Sequence, residues 1–225
     1  MPSSLLTKAT LGTLGVGTVA TGSIYLGKDL IVARNQKTKT SIEELIETVN
    51  PDKRFISRPG TSSHWRAVWS EYKKDNNVWN LAGLDTTTAS STEDAPQEFM
   101  DACDSKKEQE VLDKGDSLYS QVVKYCTRNT LVRDLINETE GKTLLTKGSD
   151  FATNQDWKTV WELYKQDNNG KNTDSWDIGS WSSNKDSSNV PDAFATKCGT
   201  KSEVEEYQLD QSNYLDVLKY CTKVG

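Results

Sequence analysis

Four cysteines are the residues of this chain best suited to covalent chemistry. Cys103 and Cys126 are 23 positions apart, and Cys198 and Cys221 repeat that interval. An even number of cysteines at one repeated spacing reads as two disulfides, one in each half, and such bridges need an oxidising compartment. Each would close a loop worth about 3 kcal/mol in the chain-entropy model. Two buried thiols in each half are the competing reading, because free cysteine behaves as a small apolar core residue. The spacing disfavours a four-cysteine zinc site, which uses pairs two to four residues apart.

Acid and base chemistry finds less support. His64 is the only histidine, and Asp156 stands at the matching place in the second half. A triad needs a nucleophile and an orienting acid around its histidine. His64 has neither, and reads as an exposed residue in the first turn of a helix. Glu108 with Glu110, and Glu203 with Glu205, are two apart and would diverge on a helix. That suits a solvated face better than the carboxylate pair of a glycoside hydrolase. Asp167-Asn168-Asn169-Gly170 invites a calcium loop, yet Lys171 and Ile178 fall where an oxygen ligand and a bidentate Glu are required. A helix cap explains these residues better. No glycine-rich run resembles a phosphate cradle. The expectation is a chain without catalytic residue, metal or cofactor.

The elements that position the cysteines come as two copies. Trp65-Arg-Ala-Val-Trp69-Ser-Glu-Tyr72 is echoed by Trp157-Lys-Thr-Val-Trp161-Glu-Leu-Tyr164, which reads as a duplicated unit. Trp65, Val68, Trp69 and Tyr72 recur at i, i+3, i+4, i+7, as do Trp157, Val160, Trp161 and Tyr164, so each set predicts one aromatic helix face buried in a core. Ile42, Leu45, Ile46 and Val49 predict a helix before the first stripe, with Ser41 and Glu44 spaced as a capping box. Leu131, Val132, Leu135 and Ile136 are their counterparts. Asn76-Asn77 and Asn168-Asn169-Gly170 should end the stripe helices, since Asn and Gly tolerate the left-handed conformation. Polar loops follow over 78–95 and 171–190, pinned by Trp79, Leu81 and Leu84 or by Trp176, Ile178 and Trp181. Pro96 and Pro191 then suit a first helical turn, with Phe99 and Cys103, or Phe194 and Cys198, on one face. A closing helix carries Tyr119, Val122, Val123 and Cys126, or Tyr214, Val217, Leu218 and Cys221. The fold class expected is mainly α: an N-terminal membrane helix with its linker over 1–40, then two homologous modules of roughly four helices each over 41–129 and 130–225.

The N-terminus differs in kind. From Ala9 to Gly27 no charged residue occurs, a length that just spans a hydrocarbon core. A cleavable signal ending near Ala20-Thr21-Gly22 competes with an uncleaved anchor, but Ile24, Tyr25 and Leu26 continue the apolar run past it. No Cys precedes Cys103, so a lipid-modified cysteine is excluded. Orientation is contested. Lys28, Arg34, Lys37 and Lys39 after the span favour a cytoplasmic body by the positive-inside rule, whereas disulfides favour the exterior. The net charge of -6 argues against nucleic acid, whose binding needs Lys and Arg on phosphates.

The Gly- and Thr-rich apolar start after Met1-Pro2-Ser3, the Trp/Val/Trp/Tyr helix and the closings Lys124-Tyr-Cys126-Thr127 and Lys219-Tyr-Cys221-Thr222 resemble the paralogous surface-protein families of haemotropic mycoplasmas. The resemblance implies a protein held in the cell membrane through residues 9–27, made in many variants, and in contact with host cells or host immune proteins. It supplies no catalytic or binding residues. The function expected is interaction or antigenic variation without catalysis. Alternatives are an exported hydrolase or nuclease with a cleft between the modules, and a cytoplasmic-side scaffold. The oligomeric state is not readable from the sequence.

Overall fold

The computed structural model describes residues 38–60, 62–84 and 92–225. The anchor expected over 9–27 and the middle of the first loop, 85–91, lie outside the described residues. Among those described, the chain is mainly helical, and no helix is long and apolar enough to cross a membrane.

The first half begins with β1 (Thr40–Ser41) and α1 (Ile42–Val49), where the Ser41 hydroxyl accepts the Glu44 N–H at 3.2 Å. After β2 (Lys53–Phe55) comes the stripe helix α2 (Ser63–Lys74), capped by Ser62 on the Trp65 N–H at 3.2 Å. Asp75 closes α2, and Asn76 and Asn77 follow at φ 54° and 56°, the left-handed region that Asn tolerates. Then come α3 (Gln97–Lys107), β3 (Glu110–Val111), α4 (Ser117–Cys126) and β4 (Thr127–Asn129). Ile42, Ile46, Trp65, Trp69, Tyr72, Phe99 and Val122 are buried in one cluster with both cysteines.

The second half repeats this order with α5 (Val132–Asn137), β5 (Lys142–Leu144), α6 (Gln155–Asp167), a four-residue turn α7 (Trp181–Asn184), α8 (Asp192–Ser202), α9 (Ser212–Tyr220) and β6 (Thr222–Val224). Asn154 caps α6 through the N–H groups of Asp156 and Trp157. Its core gathers Val132, Ile136, Trp157, Trp161, Tyr164, Trp176, Trp181, Phe194 and Val217 in a separate cluster. At the centre of each core is the stripe tyrosine. Tyr72 packs on Phe99 at 4.8 Å, Trp79 at 5.1 Å and the edge of Tyr125 at 5.2 Å. Tyr164 packs on Phe194 at 5.1 Å, Trp176 at 4.8 Å and the edge of Tyr220 at 5.2 Å. Such offset and edge-on pairs add to the area that each ring buries.

Several expectations need correction. The repeat contains short strands that helical periodicity does not reveal: β2 pairs with β4 and β5 with β6, antiparallel, so the residues after each second cysteine return to the start of their own half. β1 pairs with β3, and the single bridge Leu131 to Glu205 is its counterpart. Glu110 and Glu205 therefore occupy extended segments, while Glu108 and Glu203 cap the ends of α3 and α8. They do not share a helix face. Pro96 and Pro191 are the N-caps of α3 and α8, one residue before the first turn, with β-region ψ values of 156° and 143°. The second half also has the extra turn α7, entered through Gly179 and Ser180 at φ 73° and 50°.

Candidate functional site

The cysteines are brought together as disulfides. Cys103 bonds Cys126 at 2.06 Å and Cys198 bonds Cys221 at 2.03 Å, tying α3 to α4 and α8 to α9. All four are almost completely buried. Trp65, Trp69, Tyr72, Trp157, Trp161 and Tyr164 are buried too, none above 3% exposed, so no stripe residue forms a surface.

The closing Lys-Tyr-Cys-Thr runs are accounted for residue by residue. Lys124 and Tyr125 both bond the Asp75 carboxylate at the end of α2. Lys219 and Tyr220 bond Asp167 at the end of α6, each at 2.6 Å. Thr127 and Thr222 return their hydroxyls to the carbonyls of Val123 and Leu218. Hydrogen bonds from Lys124 and then Tyr125 hold Asp75 below the usual carboxylate range, and Lys219 with Tyr220 does the same for Asp167. Burial, reinforced by Asp75, pushes the Tyr125 phenol up to about 12. This is a clamp of charge-assisted bonds between helix ends, with no group poised to move a proton.

The stripe tyrosines also hold the loops. Tyr72 donates its hydroxyl to Asn77 and accepts the Trp79 N–H, and the Asn77 side chain bonds Leu81 through both its oxygen and its amide. Tyr164 donates to Asp174 and accepts the Trp176 N–H, while Asp174 accepts from Ile178. Asn168, in the stretch that invited a calcium reading, is fully buried and accepts the Ser175 N–H at 2.9 Å. Its oxygen is therefore committed to the cap. Among the described residues, no cluster of three or more His, Cys, Asp or Glu could hold a metal ion.

Two lysines escaped the sequence analysis. Lys73 and Lys165 lie one turn beyond Trp69 and Trp161, in phase with the apolar stripe, and that phase is the signal that could have found them. The Lys73 side chain is wholly buried, lies 5.3 Å from the Trp69 ring and pairs with Glu93 in the loop. Lys165 lies over Trp161 and donates to the Ser187 carbonyl at 3.2 Å, which also accepts Trp161 Nε1 at 3.3 Å. Trp69 Nε1 is buried without a hydrogen-bond partner among the described residues.

His64 is half-buried rather than exposed. Burial lowers its pKa, and the charges of Arg128 and Arg133 lower it further. Those arginines belong to the junction between the halves. There Thr130 is buried, with its N–H on the Asp52 carbonyl at 2.9 Å, its hydroxyl on the Pro51 carbonyl at 2.9 Å and its own carbonyl accepting the Glu206 N–H at 3.1 Å. Arg54 makes two bonds to Glu138, at 2.8 and 2.9 Å, and Arg128 two to Asp134, at 2.6 and 2.8 Å. Burial raises the Asp134 pKa, but the Arg128 bonds and the Leu131 N–H outweigh it and hold the carboxyl low. A groove of about 340 Å³ lies here, and three of its four acids, Glu43, Asp134 and Glu138, are paired with Lys107, Arg128 and Arg54. A larger one, about 760 Å³, lies between α6 and the β5–β6 sheet.

No protein-family model, curated protein or solved structure matches this chain.

Proposed function

We propose that this is a membrane-anchored interaction protein. It is held through residues 9–27 and presents two homologous helical modules, 41–129 and 130–225, outside the cell, where they bind host or antibody partners without catalysis. The observation that carries this reading is the division of labour within the repeat. The matched residues are consumed by the aromatic cores, the disulfides and the Asp75 and Asp167 clamps, while the modules differ most in the loops over 78–95 and 171–190. Recognition residues concentrate on loops carried by a rigid frame. The disulfides support an oxidising exterior, and the resemblance to variable mycoplasma surface families agrees with it. The acids Asp75, Asp134, Asp167 and Asp192 are held low, the opposite of what a general acid in a hydrolase or nuclease needs.

Protease treatment of intact cells tests the reading. Digestion of the modules at the surface is expected, and full protection with digestion only after lysis would sink it in favour of a cytoplasmic scaffold.

A further inference from the structure

The two halves use one face differently. In the first half, the face made by the start of α2 and by β4 receives the second half. His64 lies within electrostatic reach of Arg133 and Glu203, and Asn129 donates to Glu205 at 2.7 Å. The contact on this face comes from the acidic stretch Glu203-Val204-Glu205-Glu206, which passes from the end of α8 into the extended bridge with Leu131; Glu205 reaches Asn129, while Glu203 pairs with Arg133 of its own half.

The same face of the second half is open. Asp156 stands in the place of His64, Lys223 in that of Arg128 and Val224 in that of Asn129, and they line the groove of about 760 Å³. Its apolar floor includes Val160 and Leu163, and Val224 is 79% exposed at its rim. Its charge is basic in a chain of net charge -6. Of its lysines, Lys223 pairs with Asp156 and Lys219 with Asp167, whereas Lys142 and Lys158 have no acidic partner among the described residues.

We infer that this groove docks an extended acidic segment of a partner protein, one that sets an apolar residue among glutamates as Glu203-Val204-Glu205-Glu206 does. The free lysines match its carboxylates, the floor matches its apolar side chains, and the internal junction is the precedent for such a segment on this face. No residue of the loops to which the proposed function assigns recognition lines this groove, and the inference shares with that reading only the premise of protein binding.

The test uses the full chain in mild detergent and an end-capped synthetic peptide, Ser-Glu-Val-Glu-Glu-Tyr. Backbone amide shifts at Lys142, Leu163 and Val224 are expected on titration, with affinity falling as salt rises from about 50 to about 300 mM. The double variant Lys142→Glu/Lys158→Glu should bind about tenfold more weakly, with its circular dichroism unchanged, whereas Lys114→Glu/Lys197→Glu should bind as the parent does. Equal loss in both variants, shifts confined to another face, or no shift at about 1 mM peptide would overturn the inference. Self-association lost in the first variant would also overturn it, by putting a second copy in the groove. The titration does not depend on membrane orientation, so a cytoplasmic location would remove the surface reading and leave this result standing.

Discussion

At the scale of single residues, Trp69 and Trp161 show how one position in a repeat can be satisfied in two ways. Both rings are buried against the stripe tyrosine and the phenylalanine of their own half, Trp161 on Trp181 as well, so Trp69→Ala or Trp161→Ala should each cost about 3–5 kcal/mol, read from urea unfolding. Phenylalanine separates them. Trp161→Phe removes the bond to the Ser187 carbonyl, while Trp69→Phe removes a donor that has no hydrogen-bond partner among the described residues. The former should therefore cost about 1 kcal/mol more, and equal costs would refute the assignment. His64 gives a second residue-scale test. Its pKa is lowered, first by burial and then by Arg128 and Arg133, so the unfolded chain takes up the proton first as pH falls. The stability linked to neutral His64 is complete above about pH 6.5 and declines below it. An NMR titration should show a midpoint below about 6.5, moving upward in Arg133→Ala; an unmoved midpoint would exclude the arginine's part. The stripe residues were legible because their burial follows from periodicity. Lys73 and Lys165 were not, because a charge on an apolar face is hard to read as buried until its loop partner is seen.

At the scale of elements, the helices followed from sequence and the strands did not, for a physical reason. A helix closes its hydrogen bonds within four residues, so α1, α2 and α6 announce themselves by local pattern, and α1 also by its cap Ser41; the caps Ser62 and Asn154 emerged only with the structure. The strands are two or three residues long, and the partner of Arg54 is Arg128, far along the chain. Their pairing depends on register that no local window contains. The disulfides join the two regimes, since each ties the Pro-capped helix to the closing one. Reduction should cost about 3 kcal/mol in each half, seen as a shift of the urea midpoint with dithiothreitol, and an unshifted midpoint would show that the aromatic cores suffice. The loops make the complementary case. Exchanging Val78 to Ala95 with that of a variant should change antibody or partner binding and leave helical content intact, provided that the residues equivalent to Asn77 and Trp79 are kept. Loss of helical signal would mean that the loop is part of the frame.

At the scale of the whole molecule, the question is whether two cores make one cooperative body. The buried apolar clusters are separate, so coupling between the halves runs through the polar junction: Thr130, the two arginine pairs and the Asn129 bond to Glu205. The Arg54 and Glu138 side chains are 26% and 54% exposed, and such a pair contributes little. Arg128 and Asp134 are only 11% and 13% exposed, so breaking that pair leaves a charge uncompensated in a desolvated place. The junction was invisible in the sequence because residues 127 to 131 straddle the boundary between the repeats, and nothing local marks Asp52, Glu138 or Glu206 as its partners. Acid should act on the same pair. Asp134 is held below the ordinary carboxylate range, so its contribution is present above about pH 4 and is lost as pH falls through the lowered value. Calorimetry of the parent at pH 7 should show one transition. Arg128→Ala should split it in two, as should acidification below about pH 4, because each half keeps its own core and disulfide. A single transition retained in Arg128→Ala would show that the bonds of Thr130, Arg54 and Asn129 suffice to couple the halves without that pair.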